Sequence, residues 1–322
     1  MKISIVGWYG KNNVGDDAFK VVFESFFKDH LIEFVTPPQI CQDSDLVILG
    51  GGSVVSPFYL NSMPTTKKYA LGVDIAYQSE IDLLEKYQFK EVYVRNSTDL
   101  DLMKSKLTCN VHSIPDLAFY LKPSNKDLLS KYKKYPNKKT VGVFATDYVN
   151  PAIDRPYNPY SQRSYNFKTK LADKIDYFQK DYEVILFPCS TGGYGDDRRI
   201  NLDIMAYCKN QPTNVLDTIS PQDMIDIIKD LDFSICMRFH SHIFSMIAGT
   251  PFLSIEFTRK VQLFLKENNL LNATAVKKSE TDFDFSEFNN ALLPQKEYLL
   301  TTAQTYRQKI EQVKQQVLQD WF

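Results

Sequence analysis

The residues best suited to chemistry in this sequence are Met237-Arg238-Phe239-His240-Ser241-His242. Arginine offers a planar fork of donors matched to carboxylate and phosphate oxygens. Histidine exchanges a proton near neutral pH. The segment stands where an apolar strand, Phe233 to Met237, gives way to a helical run, Ser241 to Ala248. The unpaired N–H groups of a helix start favour an anion there. Arg238 and His240 lie two positions apart, so in extended backbone they face the same way. The set suits a small phosphorylated acid, held by Arg238 with Ser241 beside it and protonated by His240. His242 reads as structural.

Two glycine-bearing loops are the next candidates. Gly7 to Asp17 (GWYGKNNVGDD) follows the first apolar strand, and Gly50-Gly51-Gly52-Ser53 ends the strand Asp45 to Leu49. Glycine lets backbone approach a ligand closely and takes positive φ. In these loops Asn13, Gly15, Asp16, Gly51, Gly52 and Ser53 are the candidates to line a binding cleft; a tight packing turn is the alternative. Neither loop is a dinucleotide GxGxxG or a Walker P-loop, so neither NAD nor ATP is supported. Arg95 ends a strand, Lys260 follows another, and Arg198 and Arg199 follow the glycine-rich run 192–197, which reads as a mobile loop. Each alone reads equally as a solvated surface charge; Arg95, Lys260 and Arg199 are the candidates to bind an anionic donor. HExxH, GxSxG and kinase motifs are absent, and no metal site is expected.

The elements that must position these residues alternate between strand and helix. Lys2 to Trp8 is a strand and Ala18 to Phe27 a helix, followed by strands at Asp45 to Leu49, Lys90 to Val94 and Val111 to Ile114. A second set has strands at Thr140 to Ala145, Glu183 to Pro188, Phe233 to Met237 and Phe252 to Glu256, with helices near 167–180 and 221–229. Such alternation predicts parallel sheets covered by helices, with ligands at the carboxyl ends of the strands. The expected division is an N-terminal α/β domain over 1–125, a C-terminal α/β domain over 140–290, and a Lys-rich connection over 123–139. In 291–322, Leu299, Ala303, Tyr306, Ile310, Val313 and Val317 recur in steps of three and four, an apolar helical stripe that packs back on a domain.

With 322 residues and 43% hydrophobic content the chain suits two globular domains. A formal net charge of −1 gives no reason to expect nucleic acid as a partner. The five cysteines are scattered and read as reduced core residues. No apolar run has the length of a membrane span, and no signal peptide is evident, so a cytoplasmic location is expected, with at most peripheral contact of the tail helix at the inner face of a membrane.

Five segments, in order, resemble the polysaccharide pyruvyl transferases: GWYGKNNVGDDAF, DLVILGGGSVV, VRNSTDLDLM, IPDLAF and, most specifically, DLDFSICMRFHSHIFSMIAGTPFLSIEFTRKV. The resemblance implies two Rossmann-like domains facing a cleft, as in GT-B glycosyltransferases. It implies phosphoenolpyruvate as co-substrate, no cofactor, and a sugar diol of a glycan or lipid-linked oligosaccharide as acceptor, closed into a cyclic ketal. It places Arg238 and His240 at the donor and Gly15, Asp16 and the Gly51-Gly52 turn along the cleft. The sequence departs from the family pattern at Phe239 (usually Leu), Thr258 (often Asp), Asn96 (often Asp) and Ala145-Thr146-Asp147, where an Arg is expected. Arg155, Arg163 and Arg199 are the cations left to replace that Arg. A GT-B-type glycosyltransferase using a nucleotide sugar is the alternative on the same architecture, and a glycan-binding protein without turnover is a third reading.

Overall fold

The computed structural model describes the chain except for residues 65–67, 76, 96–97, 99, 147–148, 151–154, 157–160, 193–194 and 279–281. The chain divides into two units: Met1–Lys11, Gly15–Leu121 and Gln304–Phe322 in the first, Asn12–Val14 and Lys122–Ala303 in the second.

In the first unit the elements are β1 (Lys2–Val6), α1 (Val14–Phe26), β2 (Leu31–Val35), β3 (Leu46–Gly52), α2 (Pro57–Leu60), β4 (Lys68–Val73), α3 (Gln78–Lys86), β5 (Glu91–Val94), α4 (Leu100–Lys106) and β6 (Asn110–Ser113). All strand pairs are parallel, in the order β2-β1-β3-β4-β5-β6. The central strands are buried on both faces, which is why β3 reads as an unbroken apolar run rather than an alternating one and why even Ser4 of β1 is buried. The order reverses at β1 and β3, so the loops after those two strands stand at the sheet's switch point. These are the two glycine loops.

The triple glycine is required by packing. Gly51 has φ +69°, and a Cβ there would lie 2.5 Å from the Phe19 ring of α1. A Cβ on Gly50 would lie 2.6 Å from an Ile5 methyl. The bare backbone lets α1 settle its buried Phe19 and Phe23 directly onto the end of β3.

The second unit holds β7 (Lys139–Phe144), a short antiparallel pair β8 (Val149–Asn150) and β9 (Arg155–Pro156), α5 (Gln162–Phe178), β10 (Tyr182–Leu186), α6 (Asp197–Met205), β11 (Thr213–Asn214), α7 (Pro221–Lys229), β12 (Phe233–Cys236), α8 (Phe239–Ala248), β13 (Phe252–Glu256), α9 (Arg259–Glu267), β14 (Thr274–Lys278) and β15 (Phe283–Asp284). Its main sheet runs β11-β10-β7-β12-β13-β14-β15, parallel except for β15. Without the edge strand β15 this is a doubly wound order that reverses between β7 and β12. The switch point therefore falls where β7 delivers Thr146 and β12 delivers Arg238.

The Lys-rich stretch expected as a connection is folded against the second unit. The backbone N–H groups of Ser124 and Asn125 donate to the Asp226 carboxylate at 2.7 and 3.0 Å. Those of Lys134 and Tyr135 donate to Glu183 at 2.6 and 3.1 Å. Of the run 192–197, expected as a mobile loop, Gly193 and Tyr194 lie outside the described residues; Asp197 opens α6, with Asp196 capping the helix through the N–H of Arg198.

The C-terminal helix is α10 (Lys296–Asp320). Its residues Leu299 and Ala303 are buried in the second unit, Ile310 and Val317 in the first. In the first unit the Trp321 indole N–H donates to Glu91 at 2.6 Å and its ring lies 4.2 Å from Tyr69. Tyr120 donates to Glu311 at 2.8 Å. Among the described residues no helix is long and apolar enough to cross a membrane.

Candidate active site

The carboxyl edge of the second unit's sheet gathers the residues singled out at Met237 to His242. The strand stops at Cys236 and the helix starts at Phe239, so Arg238 is the N-cap of α8 and His240 belongs to its first turn. The alternation argument for the pair therefore does not apply, because His240 is helical and not extended.

Arg238 is held by a residue that sequence reading missed. Its Nη2 lies 2.5 Å from Asp197 Oδ1 and donates to the Gly195 carbonyl at 2.9 Å. Its Nε lies 3.1 and 3.0 Å from the two Asp197 oxygens. Asp197 is 1% exposed against 24% for Arg238, so the carboxylate is the buried partner and the guanidinium the accessible one. The N–H groups of Cys189 and Ser190 donate to Asp197 Oδ2 at 3.0 and 2.9 Å. Burial pushes the Asp197 carboxyl above the usual aspartate range, and Arg238, the Thr146 hydroxyl and the Ser190 N–H oppose it.

The loop that carries these amides is tied to Asn13. Val14 N–H donates to the Cys189 carbonyl and Thr191 N–H to the Asn12 carbonyl, both at 2.9 Å, and Asn13 bridges Ser190. Asn13 thus joins the surroundings of Asp197. Gly15, Asp16, Gly51, Gly52 and Ser53 belong to the first unit. There Asp16 lies beside Gly52, at 3.5 Å from where a Cβ would stand, and Ser53 donates to Asp74 at 2.9 Å.

His240 is half-buried, its ring 5.3 Å from that of Phe239 and 6.1 Å from that of Phe244. Phe239 packs edge-on against Phe264 of α9 at 5.4 Å, and Lys260 Nζ lies 5.6 Å from the Phe239 ring. The first turns of α8 and α9 thereby meet, bringing Lys260 to the same edge as Arg238 and His240. Thr258, where an Asp is frequent in the resembling family, caps α9 through the N–H of Val261. Either side chain performs that task.

Two expectations are corrected. Ser241 is fully buried and its hydroxyl donates to the Arg238 carbonyl at 2.6 Å, so it shapes the turn and presents nothing to a ligand. Arg95 is 4% exposed, with Nη2 2.9 Å from Asp74 and Nη1 3.0 Å from Asp116. It neutralises two buried carboxylates in the first unit and is no donor-binding cation. Within Ala145-Thr146-Asp147, where the family pattern has an Arg, Thr146 is buried beside Asp197, and Asp147 lies outside the described residues. Of the replacements suggested for that Arg, Arg163 lies over the Phe283 ring and Arg199 is exposed on α6; the side chain of Arg155 and the expectation at Asn96 lie outside the described residues.

His242 is fully buried, its Nδ1 donating to the Arg238 carbonyl at 3.0 Å and its Nε2 accepting from Ser254 at 2.8 Å. The tautomer follows because a carbonyl only accepts. Burial lowers its pKa to about 4 from an ordinary 6.5. Above pH 6.5 the ring is neutral folded or unfolded. As pH falls through this window the unfolded chain takes the proton first, so stability is lost between pH 6.5 and 4, by about 3 kcal/mol for this group. Urea unfolding from pH 7 to 4.5 is expected to show a steeper loss for the wild type than for His242→Asn; equal slopes would discount the assignment.

Residues 3–257 match the family described as polysaccharide pyruvyl transferase. Among curated proteins none matches the chain. Among solved structures, an uncharacterised protein of Klebsiella pneumoniae is 18% identical, covers 83% of this chain and 87% of its own, and superposes with a TM-score of 0.44. The ADP-heptose lipopolysaccharide heptosyltransferase II of Escherichia coli is 10% identical, over 97% of this chain and all of its own, with a TM-score of 0.43.

Proposed function

Because the chain belongs to the polysaccharide pyruvyl transferase family, we propose that it transfers pyruvate from phosphoenolpyruvate to a sugar diol of a glycan or lipid-linked oligosaccharide, forming a cyclic ketal. The observation that carries the reading is the guanidinium of Arg238, fixed by a buried carboxylate at the switch point and set at the N-terminus of α8. A planar fork and helix N–H groups at one place favour a carboxylate or phosphate.

In the proposed reaction Arg238, with Lys260 beside it, holds the donor's anionic groups. His240 gives a proton to the methylene carbon of the enol, which becomes the methyl group, and leaves a cation-like carbon at C2. One acceptor hydroxyl attacks C2 and returns its proton to His240. The C–O bond to phosphate breaks, and the second hydroxyl closes the ring, its proton leaving with phosphate. The sum is diol plus phosphoenolpyruvate to ketal plus phosphate. Fixed donors that meet charge as it moves contribute by electrostatic preorganisation.

The test is incubation with phosphoenolpyruvate and a panel of galactosides and mannosamine derivatives. Release of inorganic phosphate with a mass gain of pyruvate minus water on one acceptor is expected. No phosphate release with any acceptor, together with nucleotide release from a nucleotide sugar, would replace the reading with glycosyl transfer.

A further inference from the structure

We propose that Asp197 is a positioning residue: it sets the direction in which Arg238 presents its guanidinium. The inference rests on reading Arg238 as the donor-binding cation.

An arginine at a helix N-cap and a quarter exposed has four rotatable bonds with which to wander. Here one edge of its planar group is consumed. Nε and Nη2 both meet Asp197, and Nη2 also meets the Gly195 carbonyl. Pinning two atoms of a rigid plane fixes the plane and thus the direction of its remaining edge. Asp197 is itself immobilised from three chain segments. It lies in the first turn of α6, it accepts the N–H groups of Cys189 and Ser190, and it accepts the Thr146 hydroxyl from the end of β7. A buried ion pair is weak evidence for stability, since desolvation cancels much of its attraction. Orientation is what this arrangement supplies without a rival explanation.

Three variants of the full chain test this: Asp197→Asn, Thr146→Val and Arg238→Ala, with the double variant of Asp197 and Arg238. Each is checked for a cooperative unfolding transition. Phosphate release is followed with phosphoenolpyruvate and acceptor varied separately. Asp197→Asn is expected to raise the KM for phosphoenolpyruvate by about 10–100-fold, the usual cost of losing a partner that orients a ligating side chain. The KM for acceptor stays near the wild-type value. Thr146→Val moves the same constant in the same direction by less. Because Asp197 acts through Arg238, adding Asp197→Asn to Arg238→Ala costs less than about twofold more. Unchanged kinetics in folded Asp197→Asn, or losses that multiply in the double variant, would overturn the proposal. If Asp197→Asn fails to fold, Thr146→Val decides by the same constants.

A second readout separates this idea from the proposed reaction. Phenylglyoxal labelling of Arg238, followed by peptide mass, needs no turnover. Faster labelling at Arg238 in Asp197→Asn or Thr146→Val, with Arg199 unchanged, supports the positioning role. An unchanged rate at Arg238 sinks it, even in a protein shown to ignore phosphoenolpyruvate. A wild type that neither binds nor cleaves phosphoenolpyruvate, but shows the labelling change, sinks the reaction and leaves the orientation of Arg238 standing.

Discussion

Replacing His240 by alanine is expected to lower turnover by about 10²–10⁴-fold, the range of one well-placed acid or base, while the unfolding transition stays where it was. The ring is half-buried at the first turn of α8 and touches Phe239 and Phe244, so truncation removes edge contacts without opening the core. Its loss takes away both the proton given to the enol and the group that recovers one from the acceptor. The deficit therefore falls on kcat, with the KM for phosphoenolpyruvate close to wild type because Arg238 remains. His242→Asn, by contrast, is expected to act on folding. Near-normal kcat in a folded His240→Ala protein would remove His240 from the mechanism.

The largest expected effect on stability lies in the first unit. Arg95→Met is expected to destabilise by about 3–5 kcal/mol, since it strands two buried carboxylates that now share one guanidinium. Asp74 and Asp116 are both buried, and Asp116 is already raised by burial, with Arg95 the main opposing influence. Without that cation the buried Asp116 carboxyl binds a proton more readily folded than unfolded. The penalty therefore grows as pH rises above the ordinary aspartate range and shrinks on acidification. Urea unfolding at pH 8 and pH 5 measures this, and a variant whose deficit is equal at both values would contradict the pairing. Ser53 is drawn in, because it donates to Asp74 beside the Gly50–Gly52 turn.

Much of this architecture was legible in the sequence. Buried parallel strands such as β1, β3, β7 and β12 announce themselves as apolar runs, and glycine or a capping residue marks where each ends. Half-exposed β2, and β4 with Gly72 in its interior, give no such run and were missed. The Arg238 and His240 pair was visible because both lie in one short segment at a strand-to-helix boundary. What holds Arg238 was not, because Asp197 is 41 positions away and sits in an all-polar Gly-Asp-Asp-Arg-Arg run that suggests solvent. The same limit misassigned Arg95. A lone cation at a strand end is equally a ligand for an anion or for two carboxylates, each 21 positions distant, and only burial decides. One clue existed: Pro115-Asp116 follows the next strand at the same sheet edge.

The first unit is assembled from pieces far apart in the chain, closed by Gln304–Phe322 against a sheet begun at Lys2. The Trp321–Glu91 contact spans 230 positions. On the ribosome this half is therefore synthesised early and completed late. Its sheet must wait, with Tyr69 and Glu91 uncovered, until the whole intervening unit has been translated. Early emergence confers no early maturity, and closures of such long span are slow to form and leave apolar surface exposed meanwhile.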